Sequence, residues 1–180
     1  MSFRKIASSI LDGLLVVGAL ALATLVGYRH MPGLRGGSAP TDRMVADWPE
    51  VAKGHQLASS TGPITVVEFA DFRCRYCRAF ALQLADFRAR YQDSVSVLFR
   101  HFPLDSRGSP SWTAALSVEC AGDQDRFTAY HDELFRQQDS IGVKSWTSFA
   151  IAAGLADTAR FSECLRSEVH AGEVQADLDQ

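Results

Sequence analysis

Apolar and polar positions alternate in three different ways along the chain. The first regime is an apolar run from Gly13 to Tyr28, preceded by Arg4 and Lys5 and interrupted upstream only by Asp12. A basic segment before an apolar one is the pattern of an export signal. Two readings follow for residues 1–30. Ala21-Leu22-Ala23 offers a small-x-small cleavage site, which makes the run a signal peptide. Alternatively it is retained as a signal-anchor, since counting from Ile10 brings it close to the ~20 residues of a membrane span. The anchor is the favoured reading. Arg4 and Lys5 would then hold the N-terminus in the cytoplasm, although Arg29 and Arg35 weaken the asymmetry. Under either reading the remaining chain lies in an extracytoplasmic, periplasmic or extracellular compartment that permits disulfides. Residues 31–47 contain a Gly/Pro/Ser stretch around Pro32, Gly36, Gly37 and Pro40 and read as a linker.

The second regime consists of short apolar runs rich in β-branched and aromatic residues. Ile64–Ala70, opened by Gly62-Pro63, reads as a buried strand, and Val95–Phe102, stopped by Pro103, as a second. Between them Phe80, Leu84, Phe87 and Tyr91 recur at one helical face, which predicts a helix after Cys74. Strand, helix, strand at this spacing predicts a βαβ unit with parallel strands. Trp48 to Leu57 reads as a short helical lead-in, with the bulky Trp48 pinned to the body.

The third regime has helical periodicity and runs from about residue 109 to 180. Trp112, Leu116 and Cys120 share one face. Phe127, Tyr130, His131, Leu134 and Phe135 form a second stripe, and Trp146, Phe149, Ala150 and Ala153 a third. Phe161, Cys164 and Leu165 lie on a helix that Asp157 can cap. Glu168 to Gln180 reads as a polar, acidic helical tail.

Composition narrows the class. A chain of 180 residues with 47% hydrophobic content, 11 Phe and 3 Trp can build one cored domain, placed at residues 48–180. A net charge of −3 gives no case for nucleic-acid binding, which would want a basic stripe with interleaved aromatics, and no nucleic-acid partner is expected. Four cysteines are too few for a disulfide scaffold.

The candidate chemistry is Cys74-Arg75-Tyr76-Cys77, a C-x-x-C placed where the first strand gives way to a helix. A sulfur at a helix N-terminus meets unpaired N–H groups and the positive end of the helix dipole, which favour the thiolate needed for thiol–disulfide exchange. A zinc site would need a second ligand pair. Cys120 and Cys164 are far apart on apolar faces, and His101 and His131 lack ligand-like spacing, so no metal and no cofactor is expected. His30, His55 and His170 read as ordinary surface histidines. Glu68 lies within the otherwise apolar first strand, on the same face as Ala70. A carboxylate there is costly unless it is paired or used. It is expected to have a raised pKa and to exchange a proton with Cys77, the alternatives being a solvated edge or a pair with Arg100.

Val66-Val-Glu-Phe-Ala-Asp-Phe-Arg-Cys-Arg-Tyr-Cys77 resembles the active-site strand and helix start of DsbA-like thiol–disulfide oxidoreductases of the thioredoxin superfamily. The resemblance continues through Phe99-Arg-His-Phe-Pro-Leu104, Glu119-Cys-Ala121, Tyr130-His-Asp132 and Phe161 to Leu165. It implies an α/β, thioredoxin-like fold with an inserted helical block. It also implies Cys74 as exposed nucleophile, Cys77 as resolving cysteine and Glu68 as buried acid. Two departures stand out. The dipeptide is Arg75-Tyr76, where relatives often carry Pro followed by His or Tyr. Arg75 either favours the Cys74 thiolate or extends into solvent. The family fold also continues with a cis-proline loop, an antiparallel hairpin and a last helix, whereas no proline follows Pro110. The chain therefore reads as an incomplete domain, a piece of a longer oxidoreductase whose substrate cleft is only partly present, with a genuine minimal variant as the alternative. Cys120 and Cys164, both in family-like segments, are expected to form a structural disulfide, with two separate buried thiols as the alternative.

The function expected is an extracytoplasmic thiol–disulfide oxidoreductase acting on exported proteins. Its partner would be a membrane redox protein, either a quinone-linked re-oxidant or an electron donor. A reductase or isomerase, or a non-catalytic thioredoxin-fold binding module, is the alternative.

Overall fold

A computed structural model describes residues 48–57, 62–91 and 94–180, together with residues 17, 20–22 and 24. The chain divides into two units, Met1–Val45 and Ala46–Gln180. The described residues of the first unit are helical, and Thr24 Oγ1 donates to Leu20 O and Ala21 O at 3.0 Å and 2.9 Å. No helix among the described residues is long and apolar enough to cross a membrane. The signal and linker readings for residues 1–30 and 31–47 lie almost wholly outside the described residues.

The second unit has an α/β, thioredoxin-like fold with a small mixed sheet. In chain order it contains α1 (Trp48–Val51), β1 (His55–Gln56), β2 (Ile64–Ala70), α2 (Arg75–Arg90) and β3 (Val95–His101). A helical block follows: α3 (Pro110–Gly122), α4 (Phe127–Arg136), a 3-10 turn (Gln138–Ser140), α5 (Trp146–Ala152), α6 (Thr158–Ser167) and α7 (Ala171–Leu178). The sheet order is β1-β3-β2. β2 and β3 run parallel, from Ile64 opposite Val95 to Ala70 opposite His101, as the strand–helix–strand spacing predicts. β3 is the central strand, and its Val97 and Phe99 are fully buried.

The lead-in differs from expectation. Only four residues of it are helical, and His55–Gln56 pairs antiparallel with β3, His55 opposite Phe99. Gly54 makes the change of direction possible. Its φ of 150° is open to glycine, and a Cβ there would fall 2.5 Å from Phe99 O. Trp48 is not pinned to the body but is 60% exposed.

The helix expected after Cys74 forms as α2, and its aromatic face is only partly buried. Ala81, Leu84 and Arg88 are its buried residues, while Phe80, Phe87 and Tyr91 remain substantially exposed. A polar tether decides this: Arg88 turns inward, donating to Leu57 O at 3.2 Å and to both carboxylate oxygens of Asp132 at 3.2 Å. The aromatic face then runs beside β2, where Val66, Phe80, Leu84 and Phe87 line a groove.

Side-chain caps set the helix starts in the block. Ser109 accepts from Trp112 N with Pro110 in the first turn, Ser145 from Ser148 N, and Asp157 from Arg160 N at 2.9 Å. The expected stripe of α4 is buried throughout. The C-terminal segment is not simply a polar tail. Ala171 and Val174 pack with Trp112, Ala115 and Leu116, and Asp177 binds Arg100 Nη2 at 2.7 Å and accepts from His101 N at 2.8 Å. The last helix is thus fastened to the central strand.

Cys120 of α3 and Cys164 of α6 are joined by a disulfide, with Cα atoms 5.8 Å apart. It spans 44 residues of sequence, so its removal should release much chain entropy in the unfolded state. The double substitution Cys120→Ala, Cys164→Ala is expected to cost about 2–4 kcal/mol, read as a lower urea midpoint with a somewhat steeper slope, since the freed unfolded chain exposes more surface. An unchanged midpoint would show that the bridge contributes nothing to the block.

Candidate active site

β2 delivers the chain to the site. After Ala70 the segment Asp71–Cys74 turns the strand into α2, and buried hydrogen bonds hold that turn. Asp71, only 4% exposed, accepts from Arg73 N at 2.7 Å, Leu104 N at 2.9 Å and Ser111 Oγ at 3.0 Å. Its carbonyl receives Cys74 N at 3.1 Å. From the helical block, Gln138 Nε2 donates to Phe72 O at 2.7 Å and Cys74 O at 2.9 Å. Arg78 reaches the same region, binding Asp139 at 3.1 Å and Arg136 O at 3.3 Å. Asp71 and Gln138 were not apparent as site residues in the sequence. Asp71 sits inside the recognised segment, but its partners are loop and α3 groups that no local pattern brings close.

Cys74 is the N-cap of α2, and its sulfur accepts from Cys77 N at 3.4 Å. Cys74 and Cys77 are both free thiols and half-buried. Burial opposes ionisation of Cys74, but hydrogen bonds from the Cys77 thiol and from the amides of Cys77 and Tyr76 outweigh it and hold this thiol below its ordinary value. Cys77 moves the opposite way. Burial and its hydrogen bond to the Cys74 sulfur push it up to about 11.

The dipeptide turns on itself. Arg75 Nη2 donates to Tyr76 Oη at 2.7 Å, and the guanidinium lies 4.7 Å from the Tyr76 ring centre. The Cys74 sulfur owes its lowered pKa to hydrogen bonds at the helix start, and the exposed Arg75 is held against Tyr76.

Glu68 is 4% exposed, and neither carboxylate oxygen has a hydrogen-bond partner among the described residues. Arg100 is engaged with Asp177 and does not pair with it. Desolvation pushes the Glu68 carboxyl up to about 7; the Arg88 charge opposes this and Asp132 adds to it. Glu68, Cys77, Tyr76 and Phe80 line one cavity of about 350 Å³. The structure therefore brings together a thiol poised to ionise, a thiol that resists ionisation and a carboxyl that titrates near neutrality.

Of the three histidines expected at the surface, His55 stays part-exposed and His170 is half-buried, both held by carboxylates, while His30 lies outside the described residues. His55 from β1 and His101 from β3 both meet Glu119 Oε1 of α3, at 2.7 Å and 2.6 Å. Burial opposes ionisation of Glu119, but these two imidazoles outweigh it and hold the carboxyl at about 2. His170 bridges Asp123 at 3.1 Å and Glu173 at 3.0 Å.

A family model described as thioredoxin matches residues 51–180. The Na(+)/H(+) antiporter NhaA 1 of Mycolicibacterium gilvum (strain PYR-GCK) is 32% identical over 122 residues, 68% of this chain but only 19% of the antiporter. This chain thus spans a small part of the curated relatives of that kind. Disulfide bond formation protein D of Bacillus subtilis (strain 168) is 27% identical over 144 residues, 75% of this chain and 64% of that protein. The crystal structure of oxidised BdbD from Bacillus subtilis superposes with a TM-score of 0.59 at 25% identity, covering 69% of this chain and 71% of that one.

Proposed function

Because this chain belongs to the thioredoxin family, in its DsbA-like group, we propose that it is an extracytoplasmic protein-disulfide oxidoreductase working through Cys74 and Cys77. The observation that carries this reading is the opposite displacement of the two thiols at one helix start. A thiol held below its ordinary pKa is a good leaving group and stabilises the reduced pair, which makes the oxidised pair an electron acceptor.

The cycle begins with Cys74 and Cys77 bonded. A substrate thiolate attacks the Cys74 sulfur and breaks the Cys74–Cys77 bond. Cys77 leaves as a thiolate and takes the proton held by Glu68, whose carboxyl shares its cavity. The second substrate thiolate attacks the substrate sulfur of the mixed disulfide and expels Cys74. Two substrate thiols are oxidised to one disulfide, and the enzyme pair gains two electrons. Re-oxidation of Cys74 and Cys77 falls to a membrane redox partner, and residues 1–30 carry the domain to that compartment as signal-anchor or signal peptide.

The reduction potential of the pair tests the direction. Equilibration with glutathione should give a value nearer the oxidising end, about −120 mV, than the thioredoxin value of about −270 mV. A thioredoxin-like potential would make the chain a reductase. No exchange with any dithiol peptide would leave only a binding module.

A further inference from the structure

Away from the cysteine pair, a dense group of ligating side chains lies where β1, β3 and α3 meet. His55 Nε2, His101 Nε2 and Glu119 Oε1 lie within 4.8 Å of one another. His101 and Glu119 are almost fully buried, while the His55 side chain is 39% exposed and closes the group from outside. A second triple, Glu119, His170 and Glu173, shares the same carboxylate.

Three further observations point to a cation. His55, Glu119, His170 and Glu173 line a single cavity of about 780 Å³, so the group is reached from solvent. Asp123 and Asp125 add two more carboxylates to that lining, and among the described residues neither Lys nor Arg contributes to it. The C-terminal end of α3, Gly122 with its cap Asp123, also lines the cavity, placing the negative end of a helix dipole there.

The donors select the kind of cation. Calcium and magnesium take oxygen ligands almost exclusively. Two imidazoles and one carboxylate suit a divalent transition-metal ion such as zinc(II), which binds three protein ligands and keeps a fourth position open. Ligand atoms around tetrahedral zinc lie roughly 3.3 Å apart, given bonds of about 2.0–2.1 Å. The present contacts of 2.6 Å and 2.7 Å are shorter, so the rings need to open slightly. His55 sits on a two-residue strand with a part-exposed side chain and can make that movement.

We propose that His55, His101 and Glu119 bind one zinc-type divalent cation, distinct from the Cys74–Cys77 pair and reached through the cavity that His170 and Glu173 border. Bound there, the ion ties β1 to β3 and to the helical block. The Cys120–Cys164 disulfide occupies both sulfurs beside His170, so thiolates take no part in the site.

The test uses the full chain with its Cys120–Cys164 disulfide intact and with Cys74→Ser and Cys77→Ser, which remove competing thiols. It is dialysed against zinc(II) for metal content, titrated with cobalt(II) as a spectroscopic probe, and melted with and without zinc. The expected result is one equivalent of metal, a cobalt spectrum lacking thiolate charge transfer, and a raised Tm. His55→Asn should abolish all three while leaving the circular dichroism spectrum intact, and His170→Asn should retain them. Failure of the parent to take up metal, or unchanged uptake by a folded His55→Asn, would overturn the proposal. Loss with His170→Asn but not with His55→Asn would also overturn it, by placing the ion on the other triple.

Discussion

Cys74→Ser is expected to abolish disulfide exchange while leaving the fold as stable as the parent. The two halves of this result have separate causes. Exchange requires a sulfur that can form and break a disulfide, and a hydroxyl can do neither. Stability is preserved because Cys74 is the N-cap of α2, where its side chain accepts from Cys77 N. Serine is among the preferred N-cap residues and its oxygen accepts that bond better than sulfur does. The change should therefore fall within about 0.5 kcal/mol of the parent or raise stability slightly. Turnover of a reduced peptide by the parent and the variant, with a thermal melt of each, separates chemistry from folding. Residual turnover at the parent's rate would sink the assignment of Cys74 as nucleophile. A large drop in Tm would make lost activity uninformative and would contradict the capping geometry.

Glu68→Gln is expected to produce two effects, one on rate and one on the pH dependence of stability. Cys77, pushed up to about 11, cannot ionise readily near neutrality without a local base, and the Glu68 carboxyl at about 7 is suited to that task. In the direction where Cys77 attacks a mixed disulfide, the parent rate should rise with pH through about 7 as Glu68 loses its proton. The variant should lose that rise and be slower by roughly a hundredfold, the low end of general acid–base contributions. A pH–rate profile that keeps its inflection in Glu68→Gln would reject the proton-transfer role.

The stability effect follows from the raised pKa. Glu68 titrates at about 7 in the folded chain against 4.5 in the unfolded one. Its contribution is fully present below the unfolded value and is lost as pH rises through the folded value. At higher pH the folded protein carries a buried, unpaired carboxylate, and the loss amounts to ~3 kcal/mol. Glutamine carries no such charge, so the variant should gain on the parent between pH 4.5 and about 7. His131, whose pKa burial lowers, titrates in part of the same window with the opposite slope. It is present in both proteins, so the difference between their unfolding free energies isolates Glu68. A difference independent of pH would show that the carboxyl is solvated rather than buried.

These two predictions rest on residues that were legible before any coordinates. Cys74 and Cys77 are identified by their spacing and by the apolar strand that ends just before them. Glu68 stands out as a charge inside that strand, and period-two alternation assigns its face. Both strands and their parallel pairing follow from local apolar runs separated by one helix. What was not legible depended on partners distant in sequence. The inward face of α2 is set by Arg88, whose ligands are Leu57 O and Asp132. An apolar periodicity of Phe80, Leu84, Phe87 and Tyr91 contains no sign of that tether. Gln138 supports the Cys74 turn from 64 residues away, and a lone glutamine near a helix end has no pattern to betray it.

The sequence by itself located the cysteine pair, the carboxylate in the strand before it and the strand–helix–strand unit with its helical block, because each is written in neighbours or in a short period. The tertiary structure alone decided which face of α2 is buried, how Asp71 and Gln138 hold the Asp71–Cys74 turn, and that Asp177 fastens α7 to β3. It also decided that His55 and His101 meet at Glu119. Those arrangements arise from buried polar groups that must find partners wherever the packed chain offers them. No local pattern of hydrophobic and polar positions encodes which distant group that will be.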